Sequence, residues 1–197
     1  MGPVGIGAEW CDARWPLLAA GLGAPVVVSA GVCGGLDPCL APGDLVIPER
    51  VIGPAGARET SSDPRRQLLG AAARACAGPL VTSRAVVATP EAKARLRAES
   101  GAAAVDMESA LIVERAATAG WPAVVVRGVS DAAGQGLPAD LLRLVGTDGR
   151  LRPARALATL LGRPGLIGEA LALRRRTLGA LAAVGRVLAV FAAERTC

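Results

Sequence analysis

Two acidic islands hold the side chains whose types and spacing suit chemistry. Asp106 and Glu108 stand in A-A-A-V-D-M-E-S-A, residues 102–110, and Asp131 ends V-V-V-R-G-V-S-D, residues 124–131. Each follows an apolar, strand-like run. Between them Met107, Ala110, Leu111 and Ala117 recur at helical spacing, and Pro122 restarts the chain as the run 123–126. In an open α/β sheet, loops at the carboxyl ends of strands gather into a crevice where ligands bind, and both islands are placed to face it. A carboxylate there can clamp the vicinal hydroxyls of a sugar, and a second can protonate a departing base. The plainer reading is that Asp106 and Glu108 cap a helix and complement its dipole, with Ser130-Asp131 a polar turn.

The elements that must position these residues are legible as alternating strands and helices. Residues 12–21 read as a short helix and residues 25–29 as a buried valine strand. Gly31-Val32-Cys33-Gly34-Gly35 then reads as a sharp turn whose glycines bring backbone N–H groups close to an oxyanion or a ribose. Its spacing fails the dinucleotide fingerprint. A strand is expected at 43–51, a polar loop at 53–65 and a helix at 64–77, with Leu68, Leu69 and Ala72 inward. Strands follow at 79–82 and 85–88, then a charged surface helix at 90–100 with Pro90 in its first turn. Beyond Leu137, Pro153 and Pro164 start two helices. Leu171, Leu178, Leu181, Val184, Leu188 and Phe191 line one face of the second, and Arg174, Arg175, Arg176 and Arg186 lie off that line. Such a helix packs on the domain or on a second subunit, or rests on a membrane surface.

Composition removes several function classes. The chain has no His, which excludes Ser-His-Asp triads, Cys-His nucleophiles and His-bearing zinc sites. Its 5 Cys form no C-x-x-C and no even set, so neither a disulfide framework nor a metal knuckle is expected. Aromatic residues are 2%, with no Tyr, which removes the stacking platforms of single-stranded nucleic-acid binders. The net charge of +5 permits an anionic surface as partner without demanding one. Of the 22 basic residues only Lys93 is a lysine, so the abundance of Arg reads as coding bias. Residues 16–36 are free of charge and long enough to span a bilayer, but Pro25 and five glycines break the run, and a cytoplasmic setting is expected.

V-D-M-E-S-A followed by V-V-V-R-G-V-S-D, with S-A-G-V-C-G-G-L-D-P-C-L-A-P-G-D-L-V-I at residues 29–47, resembles the signature blocks of the purine nucleoside phosphorylase / methylthioadenosine–adenosylhomocysteine nucleosidase superfamily. The resemblance runs from Val4 to about Gly136 in the same block order. G-G-L-D-P, V-V-A-T-P-E-A-K and the Arg-rich tail look most like the phosphorylase-like proteins associated with hopanoid biosynthesis. The resemblance implies a three-layer α/β/α fold with a mixed, twisted central sheet. Residues 1–163 would form the nucleosidase-like domain and residues 164–197 a basic amphipathic helical tail.

The same resemblance implies roles. Asp131 would protonate the leaving purine, and Arg127 would lie near the nucleophile's oxygen. Glu108 would hold the ribose hydroxyls, with Met107 packed on the sugar and Asp106 structural. Ser130, Gly34, Val86 and Val87 would complete the substrate site, the two valines standing where the family places an aromatic on the purine. Val32 occupies the position of a phosphate-binding Ser, which favours hydrolysis over phosphorolysis. The runner-up readings are a phosphorylase that uses Arg58 or Arg84, and a nucleoside-binding protein without catalysis. No cofactor or metal is implied. The substrate would be a purine (adenine) nucleoside, lipid-linked in the hopanoid case. A homo-oligomer, peripheral membrane contact through the C-terminal helix and no nucleic-acid partner complete the expectation. The family's first strand and its nucleophile-activating acid find no match here, and Glu9 lies in the wrong block to replace it. The expectation is therefore a poor nucleosidase that associates through an exposed strand edge.

Overall fold

The computed structural model describes residues 26–137 and 165–195. Glu9, the helix expected at 12–21 and the helix expected to start at Pro153 lie outside the described residues. The elements run β1 (Val27–Gly35), β2 (Leu45–Val46), β3 (Arg50–Gly53), β4 (Gly56–Glu59), α1 (Ser62–Ala71), β5 (Ala75–Cys76), β6 (Leu80–Thr82), α2 (Pro90–Ser100), β7 (Ala104–Asp106), α3 (Ser109–Thr118), β8 (Ala123–Asp131) and α4 (Gly165–Glu194). The strands form an eight-stranded sheet in the order β4-β3-β6-β7-β1-β8-β2-β5. It is mixed: β8 runs parallel to β1, while β7 is antiparallel to β1 and β2 antiparallel to β8.

The strand β8 is central because its sequence allows nothing else. All nine of its residues are buried, as a β-branched run covered on both faces requires. Val124 and Val126 face α1 and α4, packing with Leu68, Ala183, Val184, Val187 and Phe191. Val125 and Val129 face the opposite way, onto Val113 and Ala116 of α3. The result is the expected three-layer arrangement. The helix α2 begins and ends where local chemistry dictates. Thr89 caps it by accepting from the Ala92 N–H, Pro90 opens it, and Gly101 closes it with φ 66°.

Five expectations need correction. The helix expected at 64–77 spans Ser62–Ala71 and gives way to β5. The glycine segment at 31–35 is not a sharp turn but the continuation of β1 to Gly35, with an irregularity between Cys33 and Gly34. Its glycines serve close side-chain approach within a strand. The segment at 43–51 is split into β2 and β3, and the supposed loop after it forms the β3–β4 hairpin. Residues 85–88 form no strand. The Ser83 hydroxyl bonds to the Ala85 carbonyl and amide and turns the chain out of the sheet. On α4 the inward stripe is Ala180, Ala183, Val184, Val187 and Phe191, whereas Leu171, Leu178 and Leu181 are exposed. The expected leucine series winds round a straight 3.6-residue helix instead of staying on one face. Gly128 fixes the rotation. A Cβ there would stand 2.5 Å from the Ala180 carbonyl oxygen, so only glycine lets α4 lie this close to β8. By length and composition Gly168–Glu194 could also cross a membrane, but the Ala180–Phe191 stripe is spent on covering the sheet.

Candidate active site

The two acidic islands meet along β1, where the sheet reverses direction between β7 and β1. Asp131, at the end of β8, pairs in register with Gly34, and Arg127 pairs with Gly31. One site is thereby laid along two adjacent strands, with the Asp131 end and the Arg127 end about three residues apart.

At the Arg127 end, the guanidinium is buried and takes the geometry its planar fork demands. Its Nη2 lies 2.8 Å from Asp106 Oδ2 and donates to the Ser29 and Ser109 hydroxyls at 3.0 Å each. Its Nε also donates to Ser109 Oγ, at 3.2 Å. Its Nη1 lies against Gly31, where any side chain would collide with it. Asp106 accepts from Thr82 Oγ1 at 2.7 Å and from the Ser109 N–H at 3.1 Å. A buried charge pair is tolerated only when its remaining lone pairs and protons are also met, and here Ser29, Thr82 and Ser109 meet them. Asp106 is thus the structural acid, and it is the one that serves the start of α3.

Glu108 differs. It occupies the N-cap position of α3 yet makes no capping hydrogen bond, so the plain capping reading belongs to Asp106 alone. Its Oε2 lies 3.8 Å from Arg127 Nη2, and its side chain is 16% exposed, against 1% for Asp106. The arginine therefore orients a carboxylate that still reaches solvent. Met107 beside it is half-buried.

At the other end Asp131 is buried and held at both oxygens. Ser130 Oγ lies 2.6 Å from Oδ1 and 3.1 Å from the Cys33 carbonyl, its single proton serving one of the two. Lys93 Nζ binds Oδ2 and also donates to the carbonyls of Ala132 and Gln135, at 2.7 and 3.0 Å. Across β1, a Cβ on Gly34 would come within 3.2 Å of Asp131 Oδ2, so glycine keeps the carboxylate approachable from that side. Val86 is exposed, and Val87 packs against Leu36, Val81 and Val105. A bond from the Leu137 N–H to the Ala88 carbonyl, 2.7 Å, ties their loop to the segment that follows Asp131. The nearby Cys33 thiol is buried, and burial pushes its pKa far up, which removes it as a nucleophile.

Sequence reasoning missed Lys93, placing it on a solvent-facing helix. It is fully buried. The signal that could have found it was its being the single lysine of the chain.

No curated protein matches the chain. Among solved structures it is similar to a 5′-methylthioadenosine/S-adenosylhomocysteine nucleosidase from Colwellia psychrerythraea in complex with adenine, with 20% identity, a TM-score of 0.71 and coverage of 95% of this chain and 74% of the nucleosidase. It is similar to futalosine hydrolase of Helicobacter pylori at 18% identity and TM-score 0.71, covering 96% and 76%. A Neisseria meningitidis 5′-methylthioadenosine/S-adenosylhomocysteine nucleosidase in complex with methylthio-immucillin-A gives 18% and 0.71, covering 96% and 78%. At such identities the likeness establishes the fold. The model of the phosphorylase superfamily matches residues 4–161, which is most of the chain and includes both acidic islands: the chain belongs to the phosphorylase superfamily.

Proposed function

We propose that this protein cleaves the N-glycosidic bond of a purine nucleoside by hydrolysis, releasing adenine. The observation that carries the reading is the pair of differently held carboxylates along β1: Asp131, buried between Ser130 and Lys93, and Glu108, partly exposed beside Arg127. Breaking a purine–ribose bond passes through an oxocarbenium-like state, as in other glycoside cleavage. Asp131 gives a proton to the purine's imidazole nitrogen as the C1′–N9 bond breaks and its electron pair goes to the base. Glu108 binds the sugar hydroxyls and favours the positive charge developing on the ring. Met107 packs on the sugar, Val86 and Val87 on the base. Arg127 acts at the attacking water's side of the sugar and through its hold on Glu108. Water adds to C1′, and the proton it loses passes to bulk solvent.

Hydrolysis is favoured by the apolar Val32 and by the similar structures, which are nucleosidases and a hydrolase. The arginines considered for phosphate give little support to phosphorolysis: Arg58 stands on the β3–β4 hairpin, 3.9 Å from Glu114, and Arg84 is exposed. For the 5′ substituent we propose a hopane lipid, supported by the resemblance of G-G-L-D-P and V-V-A-T-P-E-A-K and by the exposed apolar stripe of α4.

The test is adenine release from 5′-methylthioadenosine, adenosine and a lipid-linked adenosine, with and without phosphate. Release should not need phosphate, and Asp131→Asn should lower turnover by ~10²-fold or more. An unchanged rate in that variant sinks the acid assignment. Dependence on phosphate makes the protein a phosphorylase, and tight binding without release makes it a nucleoside-binding protein.

A further inference from the structure

We infer that Lys93 is a positioning residue for the proton-donating carboxyl, holding Asp131 Oδ2 and stabilising the charge left on it when its proton passes to the purine. The inference rests on the reading of Asp131 as the acid.

Lys93 is the only fully buried side chain of α2, a helix whose other charged residues face outward or lie at its rim. An ammonium is a poor choice for anchoring a helix, because burial strips its hydration and must be matched by partners. Here the match is complete. Three acceptors, Asp131 Oδ2 and the carbonyls of Ala132 and Gln135, meet its three N–H bonds. Two of the three are backbone groups of the segment directly after Asp131. The lysine thus fixes both the acid and the turn that follows it.

The residue type is informative as well. Every other basic residue in the chain is Arg. Arginine's planar fork suits the two-strand cluster around Arg127, but it cannot converge three donors on one point, whereas a compact ammonium can. A chain that otherwise uses arginine for its cations keeps lysine where a point charge is needed.

The chemistry gives that point charge a task. Ser130 occupies Oδ1, Lys93 occupies Oδ2, and the missing side chain of Gly34 leaves room beside the carboxyl. As the purine nitrogen takes the proton, negative charge returns to Asp131 beside the ammonium. An interaction that strengthens as the reaction proceeds accelerates it. Lys93 keeps its own proton throughout, and Asp131 regains one from solvent after the purine leaves.

A substrate whose leaving group needs no proton separates this role from that of a plain anchor. Lys93→Met should lower kcat for 5′-methylthioadenosine by ~10²-fold, with KM within about 3-fold of the parent protein. On a 4-nitrophenyl riboside, whose phenolate leaves unprotonated, the same variant should stay within about 3-fold. In the Asp131→Asn background, adding Lys93→Met should cost nothing further. Where Lys93→Met fails to fold, Lys93→Gln takes its place, since its amide still donates to the carbonyls but carries no charge. Equal losses on both substrates, an unchanged rate on 5′-methylthioadenosine, or failure of both variants to fold would each make Lys93 a structural anchor and overturn the inference. If the parent protein cleaves the nitrophenyl riboside but no purine nucleoside, the acid reading falls and takes this inference with it. If it cleaves neither, the proposed function itself is wrong.

Discussion

Glu108 and Asp106 are two residues apart in sequence and opposite in circumstance. Asp106 is fully enclosed by Arg127, Thr82 and the start of α3, while Glu108 shares the arginine and has a partly exposed side chain. The pattern D-M-E brought both to the same place, but only burial separated the structural acid from the one that can meet a ligand. A hydrogen bond to a charged group contributes about 1.5–3 kcal/mol, or roughly 10- to 10²-fold. Glu108→Gln should therefore raise KM and lower kcat together by that order. A 2′-deoxy nucleoside, which lacks one of the hydroxyls, should lose less than the ribose form. Equal losses on the two substrates would remove Glu108 from sugar recognition. The positions of Asp131 at a strand end and Glu108 at a helix start were legible from sequence because their motifs are local. Lys93 was not, because charged residues on a Glu/Arg-rich helix usually face water, and its three acceptors come from a segment some 40 residues away.

The elements show the same division. The helix α2 was readable to its ends, since Thr89, Pro90 and Gly101 are start and stop signals that act within a few residues. The strand β1 was misjudged at its second half because glycine punctuates turns far more often than it lines strands. Here Gly31 and Gly34 exist to admit Arg127 and Asp131, which lie about 95 residues on and are invisible to any local reading. On α4 the buried stripe is set by contact with Gly128, which likewise comes from another part of the chain. That choice leaves Leu171, Leu178, Leu181 and Val190 exposed, and Arg174, Arg175 and Arg186 are exposed on the same helix. An apolar stripe with basic neighbours suits an anionic membrane surface. Each arginine near such a surface adds about 1 kcal/mol. Vesicles rich in anionic lipid should bind the protein, neutral vesicles should bind it ~10²-fold less, and salt should release it. Replacing Leu171 and Leu178 by Glu should abolish binding without changing the melting temperature, because neither packs in the core. Binding that survives this change would assign the stripe to something other than lipid.

The sheet as a whole has one asymmetry that bears on how the molecule exists in solution. Along its side toward β8, β1 is paired from Val27 to Gly34. On the side toward β7, only Gly34 and Gly35 have strand partners among the described residues. Ala30, in the middle of β1, is exposed. A strand edge that nothing covers invites pairing with another chain. We predict that the protein associates through this edge, as a dimer or larger species in light scattering after size exclusion. A lysine at an edge position opposes such pairing, and the outward side chain of Ala30 can be changed without touching the Arg127 cluster on the other face. Ala30→Lys should therefore shift the protein towards monomer while leaving its melting temperature within a few degrees of the parent's at equal monomer content. A parent protein that is already monomeric, or an Ala30→Lys variant with an unchanged oligomer, would show that this edge is covered in some other way.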